Sequence, residues 1–222
     1  MPFHASRPEI RGAAHALHVE RAVAVSQPDP RSVSPSGGPL LPRIVNAILL
    51  RPAFYEAVAA DRHAIGPAGA IVCLAAIARE SVGLYQLSQG FKAWGFVLAL
   101  VAVFAIVRWL VYASIMYPIA RAVAGTAVEY KRLLRCLGFA ETPAMLLVVG
   151  VAVDEHFFPW IQFGVGAWLL AATVVAVRSA ARVSTGRAVA IGCLGFAAYL
   201  ALGVGLDFAA HMPDAPPAAP PP

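Results

Sequence analysis

The chain has 222 residues, of which 59% are hydrophobic and only 13% are charged. Soluble domains average about half apolar and about a quarter charged residues, so this composition is that of a membrane protein. Each span uses about 20 apolar residues, so the chain holds several spans in one membrane domain and excludes a large soluble domain beside them. The formal net charge of +5 comes from basic residues between apolar segments, which favours membrane topology over nucleic-acid binding.

Both ends of the chain are predicted to be disordered. Residues 1–42 are rich in Pro, Ser, Gly and Ala and have no sustained apolar period. They lack the apolar core of a secretory signal, and acidic residues such as Glu9 and Glu20 argue against a transit peptide. Residues 211–222 form a Pro-rich tail that is expected to be a solvated extension. The membrane domain is therefore predicted to cover residues 43–210.

Two short helices are predicted ahead of the first span. Apolar residues recur at helical spacing between Arg43 and Arg51, which is typical of an amphipathic helix at the membrane interface. Pro52 suits the first turn of a second helix, in which Phe54 and Val58 share one face. Both helices are expected to lead into the membrane domain along its surface.

Five transmembrane helices follow in the prediction. They cover residues 65–87, 93–120, 137–153, 158–177 and 188–206. The first is the least regular, because Arg79 and Glu80 interrupt its apolar sequence. The predicted fold class is an all-α integral membrane protein with five transmembrane helices, preceded by short interfacial amphipathic helices.

The charges of the connections predict the orientation, because Lys and Arg are retained on the cytoplasmic side. Three basic segments fall on one side when five spans are threaded in series. They are Arg43, Arg51 and Arg62 before the first span, Arg121, Lys131, Arg132 and Arg135 in the second connection, and Arg178, Arg182 and Arg187 in the fourth. The first connection has only Lys92. The N-terminus is therefore predicted inside and the C-terminus outside.

Charged residues within the predicted spans are the first candidates for function, because such groups are costly in the bilayer and are usually paired. They are Arg79, Glu80, Arg108 and Glu141. At ~1.5 Å per residue, Glu141 is expected roughly 8 Å above the inner boundary, Arg108 roughly 15 Å, and Arg79 with Glu80 roughly 21 Å. Arg108 is therefore expected to pair with Glu80 or Glu141. A salt-bridge ladder that fixes helix register is favoured over a proton or ion relay.

A second group of polar residues lies on the predicted outer side. Asp154, Glu155 and His156 precede the fourth span, and Asp207 and His211 follow the fifth. Metal ions accept such ligands, but polar residues are common at helix ends, so no metal is assigned. The three cysteines are far apart, and the common catalytic and cofactor motifs are missing. No catalytic residue and no cofactor is predicted.

The stretch GTAVEYKRLLRCLGFAETPAMLL, residues 125–147, resembles the bacterial branch of the Yip domain family. The matching positions are Gly125, Tyr130, Leu134, Gly138, Phe139, Ala140 and Pro143. The resemblance implies a five-span membrane domain with a cytoplasmic N-terminus. Eukaryotic relatives bind prenylated Rab-type GTPases, but this chain lacks their Asp-Leu-Tyr-Gly-Pro element and has Phe139 where Tyr is usual. The abundance of Ala and the preference for Arg over Lys are typical of a GC-rich bacterial genome.

These observations predict a multi-pass protein of the bacterial inner membrane. The favoured function is a non-enzymatic membrane scaffold or adaptor that organises lipids or partner proteins. The alternative is a small transporter or channel subunit that uses the intramembrane Arg/Glu network. The expected partners are the lipid bilayer and either another membrane protein or further copies of the chain, and no nucleic acid is expected.

Overall fold

The structure is a computed structural model that describes residues 39–87, 94–125, 127–154 and 156–210, with the side chains of residues 39–81, 95–125, 127–154 and 156–202. The described residues form helices and no strand. The α-helices are α1 (Leu40–Ile48), α2 (Pro52–Ala60), α3 (Ile65–Leu87), α4 (Trp94–Ala124), α5 (Tyr130–Ala140), α6 (Phe158–Ala181) and α7 (Thr185–Ala210). Two 3₁₀ helices cover Arg62–Ala64 and Thr142–Val151.

Five helical segments in the described part of the chain are long and apolar enough to cross a membrane. They are α3, α4, α5 together with the 3₁₀ helix Thr142–Val151, α6 and α7. The prediction of an all-α, five-span membrane protein with short leading helices is confirmed. The predicted tails lie outside the described residues, except that α1 begins at Leu40, within the stretch assigned to the N-terminal tail.

The third span differs most from its prediction. It was expected to begin at residue 137, but α5 begins at Tyr130. Helix α5 ends at Ala140, and the chain continues as a 3₁₀ helix that contains Pro143 in its first turn. A proline cannot donate the backbone hydrogen bond that an α-helix needs, and the ring clashes with the preceding turn, so the α-helix ends there. Pro143 therefore lies where the third span changes from an α-helix to a 3₁₀ helix.

The 3₁₀ helix Thr142–Val151 has a buried face with a period of three. Ala144, Leu147 and Gly150 are buried, whereas Leu146, Val148 and Val149 are exposed. Side chains three residues apart align in a 3₁₀ helix, so one narrow stripe meets the bundle. This stripe packs against α3 and α6, with Ala144 and Leu147 in one cluster with Ala75 and Val165.

Helices α1 and α2 form a hairpin that packs against α5 and α6. Phe54 and Val58 are buried, as their shared face predicts. The last carbonyl groups of a helix have no partner within it, so a packed helix end needs donors from elsewhere. At the end of α1, Tyr55 donates to the Ala47 carbonyl at 3.3 Å and Trp168 Nε1 donates to the Ile48 carbonyl at 3.0 Å. Burial raises the pKa of the Tyr55 phenol, so this donor stays protonated.

The bundle core is built largely from small residues. Buried alanines lie on every span, including Ala68 on α3, Ala113 on α4, Ala140 on α5 and Ala176 on α6. Small residues let helix backbones approach closely, which is how spans associate where lipid removes the hydrophobic drive. Gly138 is one site of close approach, because an added Cβ would lie 2.8 Å from the Ala68 Cβ. The close packing brings α3, α4 and α5 together around the charged residues within the spans.

Candidate functional site at the charge cluster

Glu141 occupies the junction between α5 and the 3₁₀ helix, and the local sequence explains its position. Pro143 leaves the Phe139 carbonyl, four residues earlier, without its usual backbone donor. The Thr142 hydroxyl donates to this carbonyl at 2.5 Å. The Glu141 amide donates to the Gly138 carbonyl, three residues earlier, at 3.3 Å. This spacing is that of a 3₁₀ helix, which follows from Thr142. The junction is therefore satisfied locally, and the Glu141 side chain extends towards α3 and α4.

Two arginines from different spans meet the same oxygen of Glu141. Arg79 Nη2 of α3 lies 2.8 Å from Glu141 Oε2, and Arg108 Nη2 of α4 lies 3.9 Å from it. The first contact is a charge-assisted hydrogen bond, and the second is an ion pair at the limit of contact. The Arg79 and Glu141 side chains are 24% exposed and that of Arg108 is 35% exposed. We call these three residues the charge cluster.

Glu80 does not join the charge cluster. Its side chain is exposed, and it makes no ion pair within the described residues. Adjacent residues of a helix point in directions about 100° apart, so Arg79 and Glu80 cannot both face α4 and α5. Of the two acidic residues expected near Arg108, the structure brings only Glu141 to it, and it adds Arg79 as the nearer partner.

The early start of α5 explains why Arg79 reaches Glu141. The sequence placed Glu141 about one and a half helical turns above the inner boundary and Arg79 far above it. Because α5 begins at Tyr130 instead of residue 137, Glu141 lies about 10 Å further along the span at ~1.5 Å per residue. The expected separation of levels between Arg79 and Glu141 was therefore wrong, and all three charged groups lie at one level.

A cavity of about 610 Å³ opens beside the charge cluster, between α3, α4, α6 and α7. Arg79, Arg108 and Glu141 form its polar wall. The other lining residues are mainly apolar or aromatic: Val72, Trp109, Tyr112, Phe163, Gly166, Ala167, Leu169, Leu170, Thr173, Phe196 and Tyr199. Ligand pockets commonly combine apolar walls with a few convergent polar groups, so this is the candidate functional site.

The sequence interpretation missed the apolar wall of this cavity, although two signals were available. Tyr112 and Tyr199 lie within α4 and α7, away from the membrane interface where tyrosine is usually enriched. Their rings contact each other edge to face with centroids 5.5 Å apart. Gly166 and Ala167 are adjacent small residues on α6, where they leave room inside the bundle. Neither signal by itself indicates that α4, α6 and α7 line one cavity.

The residues of the Gly125 to Pro143 motif form the turn into α5 and pack it against α4 and α2. Gly125 has a φ of +64°, a backbone conformation that favours glycine, and it turns the chain from α4 towards α5. The Tyr130 hydroxyl lies 3.3 Å from the Ser114 hydroxyl, and its ring contacts Tyr117. Phe139 and Pro143 are buried, with the Phe139 ring 5.3 Å from that of Phe54.

Trp109 fixes α4 against α5 next to the charge cluster. Its Nε1 donates to the Leu134 carbonyl at 3.1 Å, and its ring lies beside Gly138, where an added Cβ would be 3.0 Å from the ring. Trp109 follows Arg108 in sequence and lines the same cavity. A larger residue at position 138 would therefore press on the Trp109 ring.

The family model of the Yip1 domain matches residues 46–206, which include all five spans and the charge cluster. The chain belongs to the Yip1 domain family. The resemblance predicted from the Gly125 to Pro143 motif is thereby confirmed. A comparison with curated proteins and one with solved structures give no match.

A second, smaller cavity of this Yip1 domain lies where α2 and α6 end. It measures about 370 Å³ and is lined by Arg132, Arg178 and Arg182 together with Glu56 and several small residues. Arg132 Nε and Arg135 Nη2 both donate to the Ala59 carbonyl, at 3.3 and 2.7 Å. These two arginines were interpreted only as topology signals. They also cap the last turn of α2, where cations are favoured by the helix dipole.

The polar residues of the predicted outer side, to which no metal was assigned, are only partly within the described residues. Asp154 Oδ1 lies 2.8 Å from His156 Nδ1 and accepts a hydrogen bond from the His156 amide. These hydrogen bonds hold the pKa of Asp154 below its ordinary value. Glu155, His211 and the side chain of Asp207 lie outside the described residues. Among the side chains that are described, no three His, Cys, Asp or Glu residues are close enough to hold a metal ion.

Proposed function

We propose that this Yip1 domain protein is a non-enzymatic membrane scaffold that organises lipids or partner proteins. The observation that carries the proposal is the position of Arg79, Arg108 and Glu141. They form one compact cluster on one wall of an otherwise apolar cavity. A contact of this kind joins α3, α4 and α5 and fixes their register, which is a structural role for buried ion pairs.

A proton or ion relay would use polar groups that follow one another across the membrane. In the described spans the charge cluster occupies a single level, and the cavity beside it continues between Phe163, Leu170 and Phe196. Glu80, the acidic residue nearest to the cluster in sequence, is exposed and lies outside it. These features favour the scaffold over the relay.

The alternative of a small transporter or channel subunit rests on a different feature. Arg108 and Glu141 both line the cavity, so a solute that entered it would meet charged groups. Transport would then depend on Arg108. Purified protein reconstituted in liposomes separates the two functions, because a scaffold produces no proton or ion flux above that of protein-free liposomes.

The matched variants for this assay lie on the same helix. Arg108→Leu removes a charge from the cavity, whereas Arg121→Leu removes an exposed charge from the last turn of α4. We expect wild type and both variants to show the same background flux. Wild type could instead show a flux that disappears in Arg108→Leu and persists in Arg121→Leu. That result would overturn the scaffold proposal and support the transporter or channel subunit.

We further propose that the protein lies in the bacterial inner membrane with its N-terminus in the cytoplasm. Support comes from the small cavity, whose lining brings Arg132 of α5 together with Arg178 and Arg182 at the end of α6. The basic residues near the second and fourth connections thus lie at one end of the bundle, as the positive-inside rule requires. Alkaline phosphatase fused to the C-terminus should be active outside the cytoplasm. A fusion that is expressed but inactive would contradict this orientation.

A further inference from the structure

The wall of the large cavity carries more positive than negative charge. Arg79 and Arg108 contribute two guanidinium groups, and Glu141 contributes one carboxylate. Arg79 takes the short 2.8 Å contact with that carboxylate, while Arg108 stands 3.9 Å away. Arg108 therefore receives only part of the compensation available. A charge within a membrane span is costly unless a partner neutralises it, so this wall is suited to one further anion.

The rest of the cavity is suited to hydrocarbon. Phe163, Leu170 and Phe196 line it and are 76%, 43% and 51% exposed, so the space is accessible to neighbouring lipid chains. Its volume of about 610 Å³ lies within the range of roughly 300–1,000 Å³ that is typical of sites for small organic ligands. A soluble inorganic anion would satisfy Arg108 but would leave the apolar walls unoccupied. A neutral lipid would fill the walls but would leave Arg108 without a counter-charge.

We propose that this cavity binds an anionic lipid from the bilayer, with its acidic headgroup at Arg108 and one hydrocarbon chain against Phe163, Leu170 and Phe196. The inference rests on the proposed scaffold role, in which lipid is a bound component and is not moved across the membrane. Guanidinium groups bind carboxylates and phosphates through charge-assisted hydrogen bonds, so both headgroup chemistries fit the polar wall.

Two glycines of α6 provide a matched pair of variants for the apolar part of the site. Gly166 lines the cavity, whereas Gly164 is not among its lining residues. A Cβ added at either position meets no atom within 4 Å, so the two positions start from the same open space. Gly166→Leu places hydrocarbon where the lipid chain would lie, and Gly164→Leu adds the same side chain elsewhere on the helix. Arg108→Gln and Arg121→Gln form the corresponding pair for the headgroup.

The experiment measures lipid binding to the full-length protein in detergent by native mass spectrometry. The probes are phosphatidylglycerol and oleate as anionic lipids and phosphatidylcholine as the zwitterionic control. We expect phosphatidylglycerol, oleate or both to bind at least about tenfold more tightly than phosphatidylcholine, as a charge-assisted hydrogen bond predicts. Whichever anionic probe binds identifies the headgroup chemistry and the number of chains that the site accepts.

The variants decide whether this binding takes place in the cavity. Arg108→Gln should abolish the preference for anionic lipid, and Gly166→Leu should weaken binding about tenfold or more. Arg121→Gln and Gly164→Leu should bind as wild type does. Equal affinity for anionic and zwitterionic lipid, no binding of either anionic probe, or an equal loss in both glycine variants would overturn the proposal. The Tm of each variant without added lipid controls for misfolding, and the glycine pair tests the site even where Arg108→Gln does not fold.

A failure of this inference is distinguishable from a failure of the scaffold. If the protein binds no lipid and shows no flux in liposomes, the proposal of a lipid site is wrong and the scaffold proposal stands. If the protein binds lipid and also shows a flux that depends on Arg108, the proposal of a lipid site stands and the scaffold proposal is wrong.

Discussion

The two halves of the third span bury their side chains in different ways. In the α-helical half, eight consecutive residues from Leu133 to Ala140 are buried, so every face of this helix meets protein. In the 3₁₀ half, Thr142, Pro143 and Ala144 are buried, and beyond them only Leu147 and Gly150 are. The comparison teaches that one span serves first as the centre of the bundle and then as part of its outer wall. Glu141 lies at the join between the two halves.

The largest effect is expected at the join between the halves. Glu141→Gln removes the carboxylate and leaves Arg79 and Arg108 facing each other without a counter-charge. We expect a loss of about 2–3 kcal/mol in stability, somewhat less than for a fully buried pair, because the side chains are partly exposed. The measurement is the Tm in detergent, compared with that of Glu80→Gln. An equal Tm for the two variants would contradict a special role of the charge cluster.

A smaller loss is expected within the α-helical half. Gly138→Val forces new atoms against the Ala68 Cβ and the Trp109 ring, both of which are held by their helices. Overpacking of this kind costs about 2 kcal/mol. Gly164→Val, which meets open space on α6, should retain the wild-type Tm apart from the small helix-propensity change. If Gly138→Val is equally stable, the α-helical half is less closely packed than the structure describes.

The change of helix type can be tested through Thr142. Thr142→Val keeps the shape of the side chain but removes the hydroxyl that donates to the Phe139 carbonyl. A buried carbonyl without a donor lowers stability by about 1 kcal/mol. Thermal unfolding in detergent measures this loss, and Thr185→Val, at the exposed start of α7, is the control. A Thr142→Val variant as stable as wild type would show that the junction does not depend on this hydrogen bond.

The smallest effect is expected beyond the 3₁₀ half, at Asp154. The folded state holds the pKa of its carboxyl below the ordinary value, so its contribution to stability is fully present above about pH 4. This contribution is lost as the pH falls through the lowered pKa of the folded state, because the proton then displaces the hydrogen bonds from His156. Asp154→Asn should lower the Tm slightly at pH 6, and the difference from wild type should shrink as the pH falls below about 4. A difference that is independent of pH would contradict this account.

The five spans could be predicted from the sequence because the bilayer imposes a simple condition on each of them, an apolar length of about 20 residues. Family membership could be predicted from a short motif, because Gly125, Gly138 and Pro143 each meet a backbone requirement that few other residues can meet. Gly125 adopts a positive φ, Gly138 permits a close approach, and Pro143 ends an α-helix.

The charge cluster could be predicted only in part, and Arg132 and Arg135 explain why. Basic residues near the end of a span resemble a connection on the cytoplasmic side, so α5 was expected to begin after them. Their partner is the Ala59 carbonyl, more than 70 residues earlier in the chain. Hydropathy contains no information on such a contact. Because the start of α5 was misplaced, the sequence predicted Glu141 and Arg79 at different depths in the membrane. The cavity was missed for a related reason, since its walls come from four helices that are apolar in sequence.

The side chains that cap the hairpin of α1 and α2 also constrain how the protein is made. A ribosome synthesises this hairpin before α5 and α6, yet the Ala59 carbonyl bonds to arginines of α5 and the Ile48 carbonyl bonds to Trp168 of α6. Until those helices have inserted, both carbonyls must bond to water, and the hairpin cannot settle into a dehydrated site. Docking of the hairpin is therefore a late step of biogenesis, completed only after the fourth span has entered the membrane.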